Sequence, residues 1–262
     1  MTLRLSVIIP AYNHLPLVMR CYQSLKRTCD PLLTDIFVQD DNSPEYHGEM
    51  VFDPGVCQRN PANLGFPGNC QAGAKRTAGD ILLFVNQDCV AISPNWDHIL
   101  VDRFESDDQI GIVGPTLLFP NGYVQSVGGE FDAKCQPTHI ALGFQNPDWQ
   151  PINTPRPVSW VTGAVFAVRR KVWEAQTAVN PWGCGGFDPI YGRGYFEDVD
   201  LCARAALKGW AIWHEPGARF IHEVGSTGGN PDFAKNALEF KRRFVDSGYV
   251  LPDIPTVKER FW

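Results

Sequence analysis

The chain has 262 residues, 44% of them hydrophobic and 20% charged, which suits one large domain with its own core and excludes a disordered chain. The formal net charge is −6 with both signs interleaved, so no basic face marks a nucleic-acid binder. No apolar run approaches the ~20 residues of a membrane span.

The first third alternates strand and helix signals. Leu5, Val7, Ile8 and Ile9 form a short apolar run ended by Pro10; it breaks too soon for a signal peptide and reads as a buried strand. Leu17, Val18, Tyr22 and Leu25 give helical spacing over 15–27. Residues 35–40 and 79–85 read as further strands, with a helix over 68–78 between them. Strands separated by helices imply a parallel sheet covered on both faces, whose ligands bind beyond the carboxyl ends of the strands. Polar clusters follow all three strands: Ala11-Tyr12-Asn13, Asp40-Asp41-Asn42-Ser43 and Asn86-Gln87-Asp88. Any one of them is explained by turn preference; three at successive strand ends point to a site.

The second half is less regular. A strand is expected over 111–115, a hairpin or loop over 119–131 around Pro120-Asn121-Gly122, and an exposed loop over 136–157. A strand over 158–168, a Gly-rich segment over 182–194 and a helix over 198–208 follow. Short strands are expected at 211–214 and 218–221, and a final amphipathic helix at 232–245. Lys241, Arg242 and Arg243 read as a solvated basic face of that helix. None of the eight cysteines (Cys21, Cys29, Cys57, Cys70, Cys89, Cys135, Cys184, Cys202) falls in a C-x-x-C pair. Free thiols and a cytoplasmic location are therefore expected, rather than a zinc knuckle or disulfides.

Several blocks occur in a fixed order: Ser6-Val7-Ile8-Ile9-Pro10-Ala11-Tyr12-Asn13, Val38-Gln39-Asp40-Asp41-Asn42-Ser43, Asn63-Leu64-Gly65-Phe66 with Asn69, and Leu83-Phe84-Val85-Asn86-Gln87-Asp88. Trp160-Val161-Thr162-Gly163-Ala164 comes next, then Gly185-Gly186-Phe187-Asp188. The last blocks are Glu197-Asp198-Val199-Asp200-Leu201-Cys202-Ala203-Arg204, Gly209-Trp210, and His222 in the context Arg219-Phe220-Ile221-His222. From residue 5 to about 245 the chain resembles the family-2 group of inverting glycosyltransferases with the GT-A fold, especially its rhamnosyltransferase-like members. It departs from the pattern at Asn86, where the family's metal motif often has a first Asp, and at Phe196, where a smaller residue often precedes the Glu-Asp pair.

The resemblance implies an α/β GT-A fold: a Rossmann-like, mostly parallel central sheet flanked by helices, with a smaller acceptor-side sheet. One domain is expected, with a nucleotide-sugar-binding half at 1–115, an acceptor-binding half at 116–225, and a C-terminal helix and tail at 226–262. Asp41 matches the position that accepts the imide N–H of uracil or thymine, a charge-assisted bond worth roughly 1.5–3 kcal/mol. Pro10, Ala11, Tyr12, Asn13, Asn63, Asn86, Gln87 and Asp88 are expected around the donor, with Tyr12 either beside the base or in the core. Asp88 and His222 match the protein ligands of a divalent cation, Mn²⁺ or Mg²⁺, which stabilises the departing diphosphate. Asp198 matches the general base that takes the acceptor's proton. Glu197 is assigned to acceptor hydroxyls or to fixing the loop, Gly163 and Trp160 to the acceptor side, and Asp200 to support of the helix N-terminus.

The expected partners are a UDP- or dTDP-sugar donor and a glycan, lipid-linked glycan or glycoprotein acceptor, with no nucleic acid and peripheral membrane association left open. The alternative is a catalytically weak or inactive GT-A-fold protein that binds a saccharide or nucleotide. A sugar-1-phosphate nucleotidyltransferase would place a Gly-, Arg- and Lys-bearing loop where Ala11 to Pro16 stand, and a dinucleotide oxidoreductase would place G-x-G-x-x-G there.

Overall fold

A computed structural model describes residues 3–45, 51–132, 136–175, 185–223, 225 and 232–247. The first strand, β1 (Leu5–Ala11), leads into α1 (Leu15–Thr28), β2 (Thr34–Asp40), β3 (Cys57–Arg59), α2 (Gly65–Arg76) and β4 (Ile81–Val85). Then come β5 (Cys89–Ala91), α3 (Trp96–Glu105), β6 (Ile110–Leu118), β7 (Val124–Ser126), β8 (Gly129–Phe131) and β9 (Pro137–His139). The chain continues through β10 (Arg156–Pro157), β11 (Val165–Arg169), α4 (Arg170–Ala175), α5 (Glu197–Leu207), β12 (Ala211–His222) and α6 (Phe233–Phe244).

The main sheet has the order β10-β12-β6-β11-β4-β1-β2-β3, with β5 on β12 and β7 on β6. β3, β2, β1 and β4 run parallel, as the strand-helix alternation requires. β11 enters antiparallel between β4 and β6, making the whole sheet mixed. β8 and β9 form the smaller second sheet.

Strand periodicity sorts the core. In β4, Leu82 and Phe84 join the cluster that holds α2, α4, α5 and α6, while Ile81, Leu83 and Val85 join the cluster under α1 and α3. Both faces are thus covered. No helix among the described residues is long and apolar enough to cross a membrane.

The sequence-based elements differ from the structure in instructive ways. β3, β5 and α3 fall where no element is expected. The strand expected over 158–168 begins only at Val165, because the backbone N–H groups of Ser159 and Trp160 bond Gly129 O instead of joining the main ladder. The two short strands near the end are one, β12, with an irregularity between Glu215 and Arg219. The expected split at 115/116 falls inside β6. Residues 182–184 of the Gly-rich segment, Cys135, Cys184 and the tail beyond 247 lie outside the described residues. The other six cysteines are free.

Arg243 corrects the expected basic face. Lys241 and Arg242 are exposed, but Arg243 is buried. Its Nη1 lies 2.7 Å from Asp188 Oδ2 and 3.1 Å from Asp200 Oδ2, and its Nε donates to Glu239. Asp200 also accepts from the Tyr191 hydroxyl and pairs with Arg204, so it anchors a buried ion cluster rather than merely complementing a helix dipole. Spacing could not reveal this, because the partners are 43 and 55 residues away. Removing one member of such a cluster strands the others' charge. Arg243→Met is expected to lower unfolding free energy by about 3–5 kcal/mol, read as a large fall in thermal midpoint; a midpoint near the parent's would refute this account.

Candidate active site

The carboxyl ends of β1, β2 and β4 form one rim, and the polar clusters sit on it. After β2 the chain keeps an extended course, so Asp40 and Asp41 point apart. Asp40 turns inward, held by Ser43 and by Arg59 Nη1 at 2.8 Å. Asp41 is buried, and its Oδ1 accepts from Asn60 Nδ2 at 2.9 Å and from the Leu64 N–H at 2.8 Å.

Asn60 is itself held in one orientation. Its second amide N–H goes to Asn69 Oδ1, its carbonyl accepts from Gln39 Nε2, and Asn69 donates to Gln39 O. The amides of Asn60 and Leu64 thus fix the Asp41 carboxylate through one of its oxygens. Burial raises the Asp41 carboxyl above the usual range, and the donors from Leu64 and Asn60 oppose that rise. Asn63 closes the loop, donating to Asp41 O and accepting from the Gly65 N–H.

Tyr12 is 45% exposed, which removes the core alternative for its ring. Gln87 spends its amide on the Tyr12 backbone, accepting from N at 2.8 Å and donating to O at 3.2 Å, so it positions this residue. Asn13 is in the left-handed region (φ 54°), with its N–H on Ser43 Oγ. Pro10 and Ala11 are buried strand residues, and Ala11 O receives the Asp41 N–H.

Asp88 and His222 meet although they are far apart in sequence, because β12 pairs with β5 directly after Asp88, with His222 opposite Cys89. Asp88 Oδ1 and His222 Nε2 are 3.3 Å apart. On the other side of the ring, Nδ1 lies 2.6 Å from Gln125 Oε1, and Gln125 Nε2 donates to His222 O. That amide orientation makes Nδ1 the donor, leaving the Nε2 lone pair facing a carboxylate oxygen. Two acceptors turned toward each other are unfavourable without a proton or a cation between them. Two ligands each about 2.1 Å from one ion, at 90–110°, stand about 3.0–3.4 Å apart, so this pair fits a divalent cation. Cys89 is near enough to join, but burial and the Asp88 charge push its thiol well up, and its Sγ donates to Ala164 O. Asn86 Oδ1 is buried without a partner.

The Glu-Asp pair opens α5. Asp198 Oδ2 accepts the Gly163 N–H at 2.6 Å and Oδ1 accepts its neighbour's, that of Val199, at 2.8 Å. Burial raises the Asp198 carboxyl, those backbone donors opposing it. Glu197 is buried and its Oε2 has no partner; desolvation first and the Asp198 charge second push its carboxyl well above the ordinary value. A Cβ on Gly163 would stand in van der Waals contact, 3.4 Å, with Glu197 Oε1 and Asp198 Cβ, so this glycine lies directly against the Glu-Asp pair. Trp160, expected to face the acceptor, is instead buried, its indole N–H on Glu130 O and its ring packed where a Cβ on Gly129 would sit. Its environment is the second sheet, not the cleft.

Sequence reasoning missed Gln125, Asn60 and Asn236. Gln125 is 97 residues from His222, and no local pattern marks it. Asn69 was visible within a motif, but its role needs Asn60 in place.

This arrangement, carboxylates gathered at the carboxyl ends of a GT-A-type sheet beside a histidine, is that of a nucleotide-dependent glycosyltransferase fold. Residues 6–166 match Glycosyl transferase family 2, more than half of the chain, and the chain belongs to that family. It is 28% identical over 248 residues to the O-antigen biosynthesis protein RfbC of Myxococcus xanthus, covering 86% of this chain and 18% of that protein. Among solved structures it is similar to GalNAc-T7 with UDP, GalNAc and Mn²⁺ (TM-score 0.70, 18% identity, 92% of this chain and 48% of that one). It is also similar to the mannosyltransferase PcManGT of Pyrobaculum calidifontis in complex with GDP-Man and Mn²⁺ (TM-score 0.59, 18% identity, 87% of this chain and 59% of that one). The chain thus spans about a fifth of that relative and about half of each structural neighbour. The family match ends before Asp198 and His222, so for these two the geometry carries the case.

A folded-state pKa raised for Glu197 means that the native protein holds a proton the unfolded chain releases. Stability then falls as pH rises from the unfolded glutamate value through the raised one. Glu197→Gln removes that titration and is expected to flatten the thermal midpoint between about pH 5 and pH 8, the variant being at least as stable as the parent at the upper end. Parallel midpoint–pH curves for the two proteins would contradict it.

Proposed function

We propose that this chain is an inverting, metal-dependent glycosyltransferase that moves a sugar from a UDP- or dTDP-sugar to a hydroxyl of a glycan, lipid-linked glycan or glycoprotein. A rhamnosyltransferase-like place within the family is part of the same reading. The observation that carries it is the proximity of the Asp88–His222 pair to Asp198. Ala164 O receives the N–H of Asn86, two residues before Asp88, and its neighbour Gly163 donates to Asp198, so one dipeptide ties the loop leading to Asp88 to the Asp198 carboxylate.

Residues 1–115 would hold the donor, with the Asp41 carboxylate accepting the imide N–H of uracil or thymine. Adenine and cytosine lack that donor. Residues 116–225 would hold the acceptor. When bound, Mn²⁺ or Mg²⁺ on Asp88 and His222 neutralises charge on the departing diphosphate. His222 is held for this by Gln125, which fixes its tautomer and ring plane.

Asp198 then takes the acceptor proton. Its two backbone donors aim the carboxylate, and its raised pKa makes it a stronger base than an exposed aspartate. Glu197, held neutral by burial, can offer an O–H to an acceptor oxygen without competing for the cation. GalNAc-T7 with UDP and Mn²⁺, and the mannosyltransferase with GDP-Man and Mn²⁺, support the donor class and the metal. Asn86 in place of a first carboxylate favours a second reading, a nucleotide-binding protein without turnover.

Asp198→Asn is expected to lower turnover at least about a hundredfold while calorimetric UDP affinity stays unchanged; near-parental turnover would remove the base assignment. Asp88→Ala should abolish the part of UDP affinity that EDTA removes from the parent, and Gln125→Leu should weaken Mn²⁺-dependent binding by about 10–100-fold. Equal UDP affinity with Mn²⁺ and with EDTA would defeat the metal reading. UDP binding with no release of nucleotide from any UDP- or dTDP-sugar would favour the binding protein.

A further inference from the structure

We infer that Tyr195 and Phe233 form a platform on which a pyranose ring of the acceptor rests beside Asp198; this deepens the transferase reading above and depends on it. The two rings are unusually exposed for their size, Tyr195 at 47% and Phe233 at 53%. Their centroids lie 5.4 Å apart at an interplanar angle of 80°, so they make a corner with two open faces. The corner is rooted in the core. Phe233 packs on Phe196 at 5.5 Å, Phe196 on Phe240 at 5.7 Å, and Phe240 stacks on Phe131.

Holding Tyr195 outward is costly. Tyr195 (φ 66°) and Phe196 (φ 75°) are consecutive residues in the left-handed region, which bulky side chains adopt only under strain. The surroundings hold them there. Buried Asn236 points its amide at Tyr191 O, Gly194 O and Tyr195 O at 2.8–3.1 Å, and Phe196 O receives the Asp200 N–H. Folding gains little from an exposed ring on a strained backbone, so the arrangement points to a ligand.

Position selects that ligand. A Cβ on Gly194, next to Tyr195, would lie 3.8 Å from Glu197 Oε1, and one on Gly163 would lie 3.4 Å from the same atom. Asp232, which precedes Phe233, is 3.6 Å from the corresponding point on Gly192. The backbone that carries the corner therefore runs beside Glu197, whose neighbour Asp198 accepts the Gly163 N–H. Two aromatic rings bury about 150–250 Å² each at most, well short of the ~800 Å² per partner of a stable protein interface. One sugar ring, with its axial C–H groups turned to the electron-rich ring faces, matches the size and the chemistry.

The test is saturation-transfer NMR on the full chain with UDP and Mn²⁺, using methyl α-L-rhamnopyranoside, methyl β-D-glucopyranoside and methyl α-D-mannopyranoside as probes. The parent protein should transfer saturation to ring C–H groups of at least one glycoside. Tyr195→Asn, which keeps a residue tolerant of the left-handed backbone, and Phe233→Ala should each weaken that binding by roughly fivefold or more, while Tyr195→Phe retains it. Calorimetric UDP affinity, read on the same samples, should not move in Tyr195→Asn, and the thermal midpoint should not fall. Absence of transfer to all three glycosides, or undiminished transfer in Tyr195→Asn, would overturn the platform. Failure of the parent to bind UDP with Mn²⁺ would instead overturn the transferase reading beneath it.

Discussion

The hydrogen bond from the Gly163 N–H to Asp198 Oδ2 is the joint on which the site depends. On one side of it, Ala164 O takes the Asn86 N–H and the Cys89 thiol, fixing the loop that presents Asp88. On the other, α5 begins, and its first turn carries Glu197 and Asp198. Because β11 enters antiparallel between β4 and β6, its N-terminal end lies beside the carboxyl end of β4. A parallel strand there would have put its amino end on the far edge of the sheet. The antiparallel insertion thus brings a second half of the chain onto the rim where a doubly wound sheet binds ligands.

Charge gives that rim its chemistry. Asp41, Asp88 and Glu197 are buried along it and Asp198 is partly so, whereas the buried arginines are spent elsewhere. Arg204 and Arg243 neutralise Asp200 and Asp188, Arg59 neutralises Asp40, and Arg169 holds backbone carbonyls of Phe104 and Ile110. The protein therefore answers its structural carboxylates with cations and leaves its cleft carboxylates to burial, backbone N–H groups and amides. An anionic ligand entering such a cleft needs a cation brought from outside, in keeping with a net charge of −6 and the absence of a basic face. Burial first and the Asp198 charge second raise the Glu197 carboxyl, favouring its protonated form beside Asp198.

The polar rim was legible in sequence because it is local: apolar runs end in polar clusters at the carboxyl ends of β1, β2 and β4. The GT-A architecture and the His222 position came from ordered motifs rather than from periodicity. What escaped was everything made by distant pairs. Gln125 acts on His222 only because β7 and β12 both pair with β6, and Arg243 leaves its expected solvated face because Asp188 and Asp200 are folded onto it. Trp160 shows the converse error. A tryptophan beside a motif glycine suggests a ligand contact, but Gly129 leaves a gap that its ring fills. Composition around a residue does not reveal which gap lies opposite.

Donor and acceptor regions also share a wall. Gly65, at the start of α2, approaches Gly192 so closely that a Cβ on Gly65 would lie 2.6 Å from Gly192 O, and Gln71 of the same helix donates to Gly185 O and Phe187 O. Both glycines have positive φ, 72° and 60°, a conformation that other residues adopt only under strain. The Leu64 N–H just before Gly65 is committed to Asp41, and two residues past Gly192 comes Gly194, whose backbone Asn236 holds. The loop that holds Asp41 and the segment that leads to Tyr195 are therefore packed backbone against backbone. Any side chain at position 65 would force these two segments apart, so the close packing of the two halves of the chain here depends on that glycine.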